Sequence, residues 1–204
     1  MVETQRRGRL AEHAYSYTKD LIFAGMEPGQ KIRVEDVVSA LRTSRQPVMD
    51  AFKRLAAEGF LEIIPQVGCR VVRVEPDEVN DFLTVFAAVE ASVCGLAALR
   101  RTQNELDHLA ALAHQIELIT GGRDHRMLER AFHAQIHAMA HSAISASVAG
   151  SLWDRTEFFS GLTHTTALPP RSGHERIHAA LASGDQRMAE SAMLKHILGA
   201  ATAA

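Results

Sequence analysis

The stretch Arg42–Phe60, RTSRQPVMDAFKRLAAEGF, decides how the first third of the chain is read. Val48, Ala51, Phe52 and Leu55 recur at helical spacing and give this segment one apolar face. Gln46, Met49 and Lys53 form a second stripe beside that face, with Arg45 near the helix start. Ser44 suits the N-cap, which puts Pro47 in the first turn, where its missing N–H costs little. Gly59 is expected to cap the other end. Taken alone, a polar stripe of this kind is a solvated surface as readily as a recognition surface. The neighbouring segments decide between the two.

Upstream, residues 8–25 repeat Leu10, Ala14, Tyr17, Leu21 and Ile22 at helical spacing, and GMEPGQ follows as a turn. Residues 34–41 carry Val34, Val37, Val38 and Leu41, a short helix separated from the quoted one by Arg42 and Thr43. Downstream, FLEIIPQVGCRVVRV, residues 60–74, changes period. Two β-branched runs joined by Pro65-Gln66-Val67-Gly68 predict a β-hairpin. Three helices followed by a hairpin describe a winged helix-turn-helix. In that architecture the third helix enters the DNA major groove and the hairpin tip reaches the flanking backbone or minor groove.

EPDEVND, residues 75–81, marks a boundary. Everything after it reads as helix, at about 77–100, 103–119, 124–141, 145–164, 172–183 and 185–199. Gly121-Gly122, Pro169-Pro170 and Gly184-Asp185 punctuate the joints. The expected fold is mainly α: a winged helix-turn-helix over residues 1–75, then an antiparallel six-helix bundle over residues 76–204. Bundle cores of this kind commonly host ligand or metal sites.

Composition fits an ordinary soluble globular protein, with 47% hydrophobic and 23% charged residues. No run of about 18 apolar residues is evident, so no membrane span is expected. The first residues, MVETQRRGRLAEH, have charges without an apolar core and do not read as a secretory signal. Cys69 and Cys94 fit packing in a reducing interior, so a cytoplasmic protein is expected. The net charge of −2 hides an asymmetry: residues 1–75 carry 12 Lys/Arg against 10 Asp/Glu, and the remainder carries 10 against 14. A polyanion partner would choose the first part.

Ten of the 11 histidines follow residue 100. LERAFHAQIHAMAH sets His133, His137 and His141 one turn apart, with Glu129 four residues before His133. Positions i and i+4 share a helix face, so Glu129 and His133 can offer two ligands to one metal. His174 and His178 repeat the spacing, and His196 stands in the last helix. Histidines on helices are more often surface or hydrogen-bonded core residues than ligands. His137 and His178 stay open as pocket or surface residues.

EPGQKI, SRQPVMDAFKRLAAEGFLE and PQVGCRV, in this order and at these separations, resemble the DNA-binding domain of the GntR family of bacterial transcription regulators. The second part resembles the all-helical effector (FCD) domain of the FadR-type branch, and its six helices are most similar to the VanR-like subgroup. Together the two resemblances cover roughly residues 8–200. They imply a homodimer that binds a palindromic operator and answers to a small molecule. By this resemblance Arg45 suits guanine, Gln46 adenine or a phosphate, and Lys53 a phosphate. Thr43 and Ser44 suit a phosphate at the helix N-terminus, and Gly68 would let the wing tip approach the DNA backbone. Three arginines commonly contact DNA in this branch, and the matching positions here hold Glu35, Arg45 and Met49. Arg33 and Arg42 lie nearby as replacements for phosphate contacts, and Met49 could pack on a thymine methyl or simply complete the core.

For the second part, the resemblance implies a divalent metal held by Asp-x-x-x-His on one helix and one His on each of the last two. The matching residues are Glu129, His133, His174 (in GHERIHAALASGD) and His196 (in MLKHI), with Glu in place of Asp. Three imidazoles and a carboxylate suit Zn, Ni, Fe or Mn. An anionic effector such as a small carboxylate could complete the coordination. Two other readings stand beside the regulator. One is a metal-dependent enzyme, with Asp154, Glu157 or Glu175 as general base, although no HExxH, GxSxG, P-loop or Rossmann fingerprint is present. The other is a helical scaffold that has lost DNA binding, kept open by Glu35 and Met49.

Overall fold

The apolar face read in Arg42–Phe60 becomes core. Val48, Ala51, Phe52 and Leu55 are each no more than 2% exposed in the computed structural model, which describes residues 2–65, 68–119, 122–163 and 173–201. Gln66 and Val67 of the expected wing tip, Gly121, Pro169-Pro170, and the expected helix ends at 164 and 172 lie outside the described residues. The chain divides into two units: Met1–Pro76 with Glu157–Thr165, and Asp77–Thr156 with Thr166–Ala204.

The first unit contains α1 (Val2–Phe23), β1 (Lys31–Ile32), α2 (Val34–Leu41), α3 (Arg45–Ala57), β2 (Leu61–Ile64) and β3 (Gly68–Val71). α1 starts well before the expected residue 8, because Gly8 sits inside the helix without breaking it. Ser44 takes the extended N-cap backbone of α3, yet its side chain makes no capping bond. Glu58, not Gly59, is the cap residue at the other end. Gly59 follows with φ of 81°, and its N–H donates to the Ala56 carbonyl while that of Phe60 donates to Leu55. This paired closure needs a left-handed residue, which is why glycine stands one place beyond the cap. The turn delivers Phe60 to the core, where its ring packs edge-on against Phe23 at 5.6 Å and Phe158 at 5.1 Å.

The hairpin forms as expected, with Ile64 opposite Gly68 and Leu61 opposite Val71. The sequence reading missed β1. Two residues are too short for any periodicity to register, but they pair antiparallel with β3 and complete a sheet of order β1-β3-β2. Gly68 has a structural duty there. A Cβ on it would lie 3.1 Å from the Ile32 carbonyl oxygen, so its bareness lets β1 close on the hairpin.

The second unit is built from α4 (Pro76–Arg100), α5 (Gln103–Leu118), α6 (Gly122–Met139), most of α7 (Ala143–Thr163), α8 (His174–Ser183) and α9 (Gln186–Ala201). α6 runs about two residues earlier than expected and stops at Met139; His141 beyond it has φ of 46°. A reciprocal capping box starts α5: Thr102 accepts from the Glu105 N–H, and Glu105 accepts from the Thr102 N–H at 2.7 Å. Arg101 donates to the Leu181 and Ala182 carbonyls at 2.7 and 2.9 Å, tying the α4–α5 joint to the end of α8.

α4 corrects one expectation. By length and composition it is apolar enough to cross a membrane, with a mean hydropathy of 2.0. Thr84, Glu90 and Ser92 interrupt its apolar run without lowering that mean much, which hid it from a search for an unbroken stretch. More than half of the window is buried, at 56%, and it carries the buried charge of Glu90. Those are the marks of a bundle's core helix.

Candidate nucleic-acid interface and metal centre

In the first unit, the turn between α2 and α3 and the start of α3 present the residues expected to meet DNA. Arg33 precedes α2 and donates twice to Asp36, both at 3.0 Å. Arg42 ends α2 in the left-handed region, at φ 48°, with its side chain exposed. Thr43 Oγ1 is buried and lacks a hydrogen-bond partner, so it is not presented to solvent as a phosphate contact would need. Ser44 is exposed, its hydroxyl not used for capping. Arg45 Nη1 donates to Glu35 Oε1 at 2.6 Å, and Gln46 Nε2 to Asp50 Oδ1 at 2.9 Å. Lys53 is exposed and Met49 half-buried, at the border between the apolar face and the polar stripe. Every cation of this face except Arg42 and Lys53 is thus held by a neighbouring carboxylate, an arrangement the sequence reading did not foresee.

In the second unit, α6 supplies Glu129, His133 and His137 from successive turns of one buried face. α8 opens with His174 and α9 brings His196, both 3% exposed or less. Donor atoms of Glu129, His133 and His196 all lie within 4.8 Å of one another. His174 joins them through Glu129, with Nε2 to Oε2 at 2.9 Å, and its ring stands 4.8 Å from that of His196. The structure therefore brings together the four residues matched from sequence. His178 is not among them and is half-buried on α8.

Inside this group, buried donor atoms lack hydrogen-bond partners. His133 Nε2 and Glu129 Oε1 are buried without a hydrogen-bond partner. Glu129 Oε1 faces His125 Nε2 at 3.4 Å, beyond a good hydrogen bond. Buried polar atoms are normally satisfied, and leaving one bare costs about 1–3 kcal/mol. A cation would satisfy such bare imidazole and carboxylate atoms, and they belong to residues whose donor atoms cluster, so the residues present fit a divalent metal. Gly173 makes room for the group: at φ 118°, a Cβ on it would lie 3.2 Å from His196 Nδ1.

Two participants, Glu90 and His125, escaped the sequence reading. Glu90 of α4 is 1% exposed and bonds His133 Nδ1 through Oε2 and His137 Nε2 through Oε1, each at 2.7 Å. Burial opposes its charge, but the hydrogen bonds from both histidines outweigh that and hold the carboxyl at about 2. His125, one turn before Glu129, is also buried. Trp153 of α7 stacks on the His133 ring at 4.2 Å. A signal for Glu90 was present, because a lone carboxylate inside FLTVFAAVEASVCGLAALR has to be paired.

The chain matches the FCD domain over residues 81–199 and the bacterial regulatory proteins of the gntR family over residues 10–71. It is similar to the HTH-type transcriptional repressor RspR of Escherichia coli (strain K12), 25% identical over 185 residues that cover 88% of this chain and 81% of that one. It is equally similar, at 25% over 199 residues, to the HTH-type transcriptional regulator LutR of Bacillus subtilis (strain 168), covering 84% and 90% of the two chains. Its fold is shared with E. coli McbR/YncC at a TM-score of 0.74 and 17% identity, over 95% and 96% of the chains. A GntR structure from Rhodococcus sp. RHA1 gives 0.69 at 19% identity, over 98% and 96%. These families and relatives are transcription regulators, and none of their names describes catalysis. A helix-turn-helix joined to an all-helical ligand domain makes this chain a ligand-responsive, DNA-binding regulator and not an enzyme, and it belongs to the GntR family of bacterial transcription regulators, in the branch with an FCD domain.

Proposed function

We propose that the chain is a cytoplasmic repressor that binds a palindromic operator as a homodimer, carries a divalent transition metal, and responds to a small carboxylate. Residues 1–75 take the DNA and residues 76–204 take the metal and effector. The observation that carries the metal reading is the convergence of the bare His133 Nε2 and Glu129 Oε1 with His196 and His174 in a buried group. Glu129, His133, His174 and His196 would hold Zn, Ni, Fe or Mn, whose bound charge would attract an anion. A carboxylate suits that role because the other buried polar side chains described in the second unit are histidines, glutamates and Thr156, with no lysine or arginine among them. The metal would thus be the counter-charge for the effector.

On the DNA side, Arg45 and Gln46 would read bases, Lys53, Ser44, Arg33 and Arg42 would meet phosphates, and Met49 would pack on a thymine methyl. A two-fold dimer would double these contacts and fix the half-site spacing.

Metal analysis of protein purified without added metal, followed by footprinting on its own upstream DNA at two salt concentrations, tests the reading. About one metal per chain, a protected palindrome, strong salt dependence and release by one of a panel of small carboxylates are expected. Protein free of metal that also fails to take it up would remove the metal and carboxylate parts. Absence of any footprint at low salt would remove the operator part.

A further inference from the structure

A carboxylate buried in an apolar helix has to be explained by what it holds. Glu90 lies among Phe86, Ala87, Ala91 and Cys94 on the buried face of α4, and both of its oxygens are engaged. An ionised carboxylate only accepts hydrogen bonds, so each histidine nitrogen facing it must be the one that carries a proton. For His133 that nitrogen is Nδ1. A neutral imidazole with its proton on Nδ1 has its lone pair on Nε2, the atom that lies bare and buried beside Glu129 and His196.

We propose that Glu90 is the positioning residue of the metal centre: it fixes the tautomer and ring orientation of His133, and His137 serves as the second anchor that keeps the carboxylate from turning. The inference rests on the metal reading above and adds residues to it. Both anchor bonds are 2.7 Å, in the range of charge-assisted pairs. His133 and His137 stand one turn apart on α6, so a single carboxylate on α4 can span them. The His133 ring is also fixed on its faces, with Trp153 stacked at 4.2 Å and His196 stacked at 5.5 Å. Rings hold its plane, and Glu90 chooses which nitrogen is the donor.

The full chain, stripped with a chelator, is titrated with Zn(II) against a chromophoric competitor as wild type, Glu90→Leu, Glu90→Gln, His137→Gln and His133→Ala. His133→Ala should abolish tight binding. Glu90→Leu should weaken it about 10- to 100-fold, the usual cost of losing a ligand's hydrogen-bonding partner. Glu90→Gln keeps one acceptor oxygen and should recover part of that loss, and His137→Gln should cost a few-fold. In the metal-free protein, imidazole nitrogen NMR should find His133 protonated on Nδ1 in wild type, with the Nε2-protonated form appearing in Glu90→Leu. Unchanged affinity in the folded Glu90 variants, or an unchanged His133 tautomer, would overturn the proposal. If Glu90→Leu does not fold, the same two readings on Glu90→Gln and His137→Gln decide. If wild type takes no metal, the metal reading falls by itself, and the tautomer comparison still settles what Glu90 does.

Discussion

Glu35 and Arg45 meet across the turn between α2 and α3, with Arg45 Nη1 donating to Glu35 Oε1 at 2.6 Å while both side chains are about two-thirds exposed. The pair sits on the face proposed to meet DNA, where the carboxylate would compete with phosphates and bases for the same guanidinium. An exposed pair of this kind adds little to folding. Glu35→Ala should therefore leave the melting temperature nearly unchanged and tighten operator binding about 3- to 10-fold at low salt, with a log–log salt slope steeper by about one. Equal affinity and slope in the two proteins would mean that Glu35 already turns away from DNA in the complex.

Lys53 and Met49 should separate electrostatic from base contacts. Lys53→Ala is expected to weaken binding to all sequences alike and to flatten the salt slope by about one. Met49→Ala is expected to leave the slope unchanged and to reduce preference at one thymine-containing position of the operator. Binding to a set of single-base operator variants at two salt concentrations distinguishes the two effects.

Gly173 is predicted to be intolerant of a side chain. Its φ of 118° disfavours any L-residue, and a Cβ would press on His196 Nδ1. Gly173→Ala should cost about 1–3 kcal/mol of stability and weaken metal uptake as well. His178→Ala on the same helix should leave metal uptake intact. Parallel thermal melts and metal titrations check both.

The capping box at Thr102 gives a pH-dependent contribution. The Glu105 carboxyl is held below its ordinary range by the Thr102 backbone N–H foremost, with desolvation working against it and the Thr102 hydroxyl and His141 assisting. A depressed carboxyl stabilises the fold above the ordinary carboxylate range and loses that contribution as pH falls through its lowered value. Thr102→Ala should cost about 1 kcal/mol at neutral pH. The gap between Thr102→Ala and wild type in chemical unfolding should narrow as the solution is made acidic.

Both cysteines should be unreactive in the native state. Burial pushes the Cys69 thiol up to about 11, and burial with the nearby charges of Glu90 and Glu190 pushes Cys94 higher. At pH 8 only about one Cys69 in a thousand would be thiolate, the form that reacts. Iodoacetamide should modify both thiols only after unfolding. Rapid native alkylation of Cys69 would show that the sheet opens around its central strand.

Legibility in the sequence tracked the length of the signal. Long amphipathic segments announced themselves: α2 ends where its valines and leucine run out, and α3 follows the stripe of Val48, Phe52 and Leu55. β1 did not, because Lys31 and Ile32 are a strand only through their partners Arg70 and Cys69. The ligand group was readable where its members share a helix, as Glu129 and His133 do, or sit in a familiar motif, as His174 and His196 do. Glu90 comes from a helix some forty residues earlier, and only tertiary packing brings it to His133. The pairing of Glu35 with Arg45 was hidden for the same reason, although each residue had been singled out separately.

The chain contains one tryptophan, and that residue stacks on the ring of His133. Its indole emission therefore comes from a single place, against the His133 imidazole. Metal coordination at that ring would alter the quenching of its neighbour. The protein thus carries an intrinsic fluorescent gauge at the centre of its ligand domain, readable without a label while the other domain is occupied with DNA.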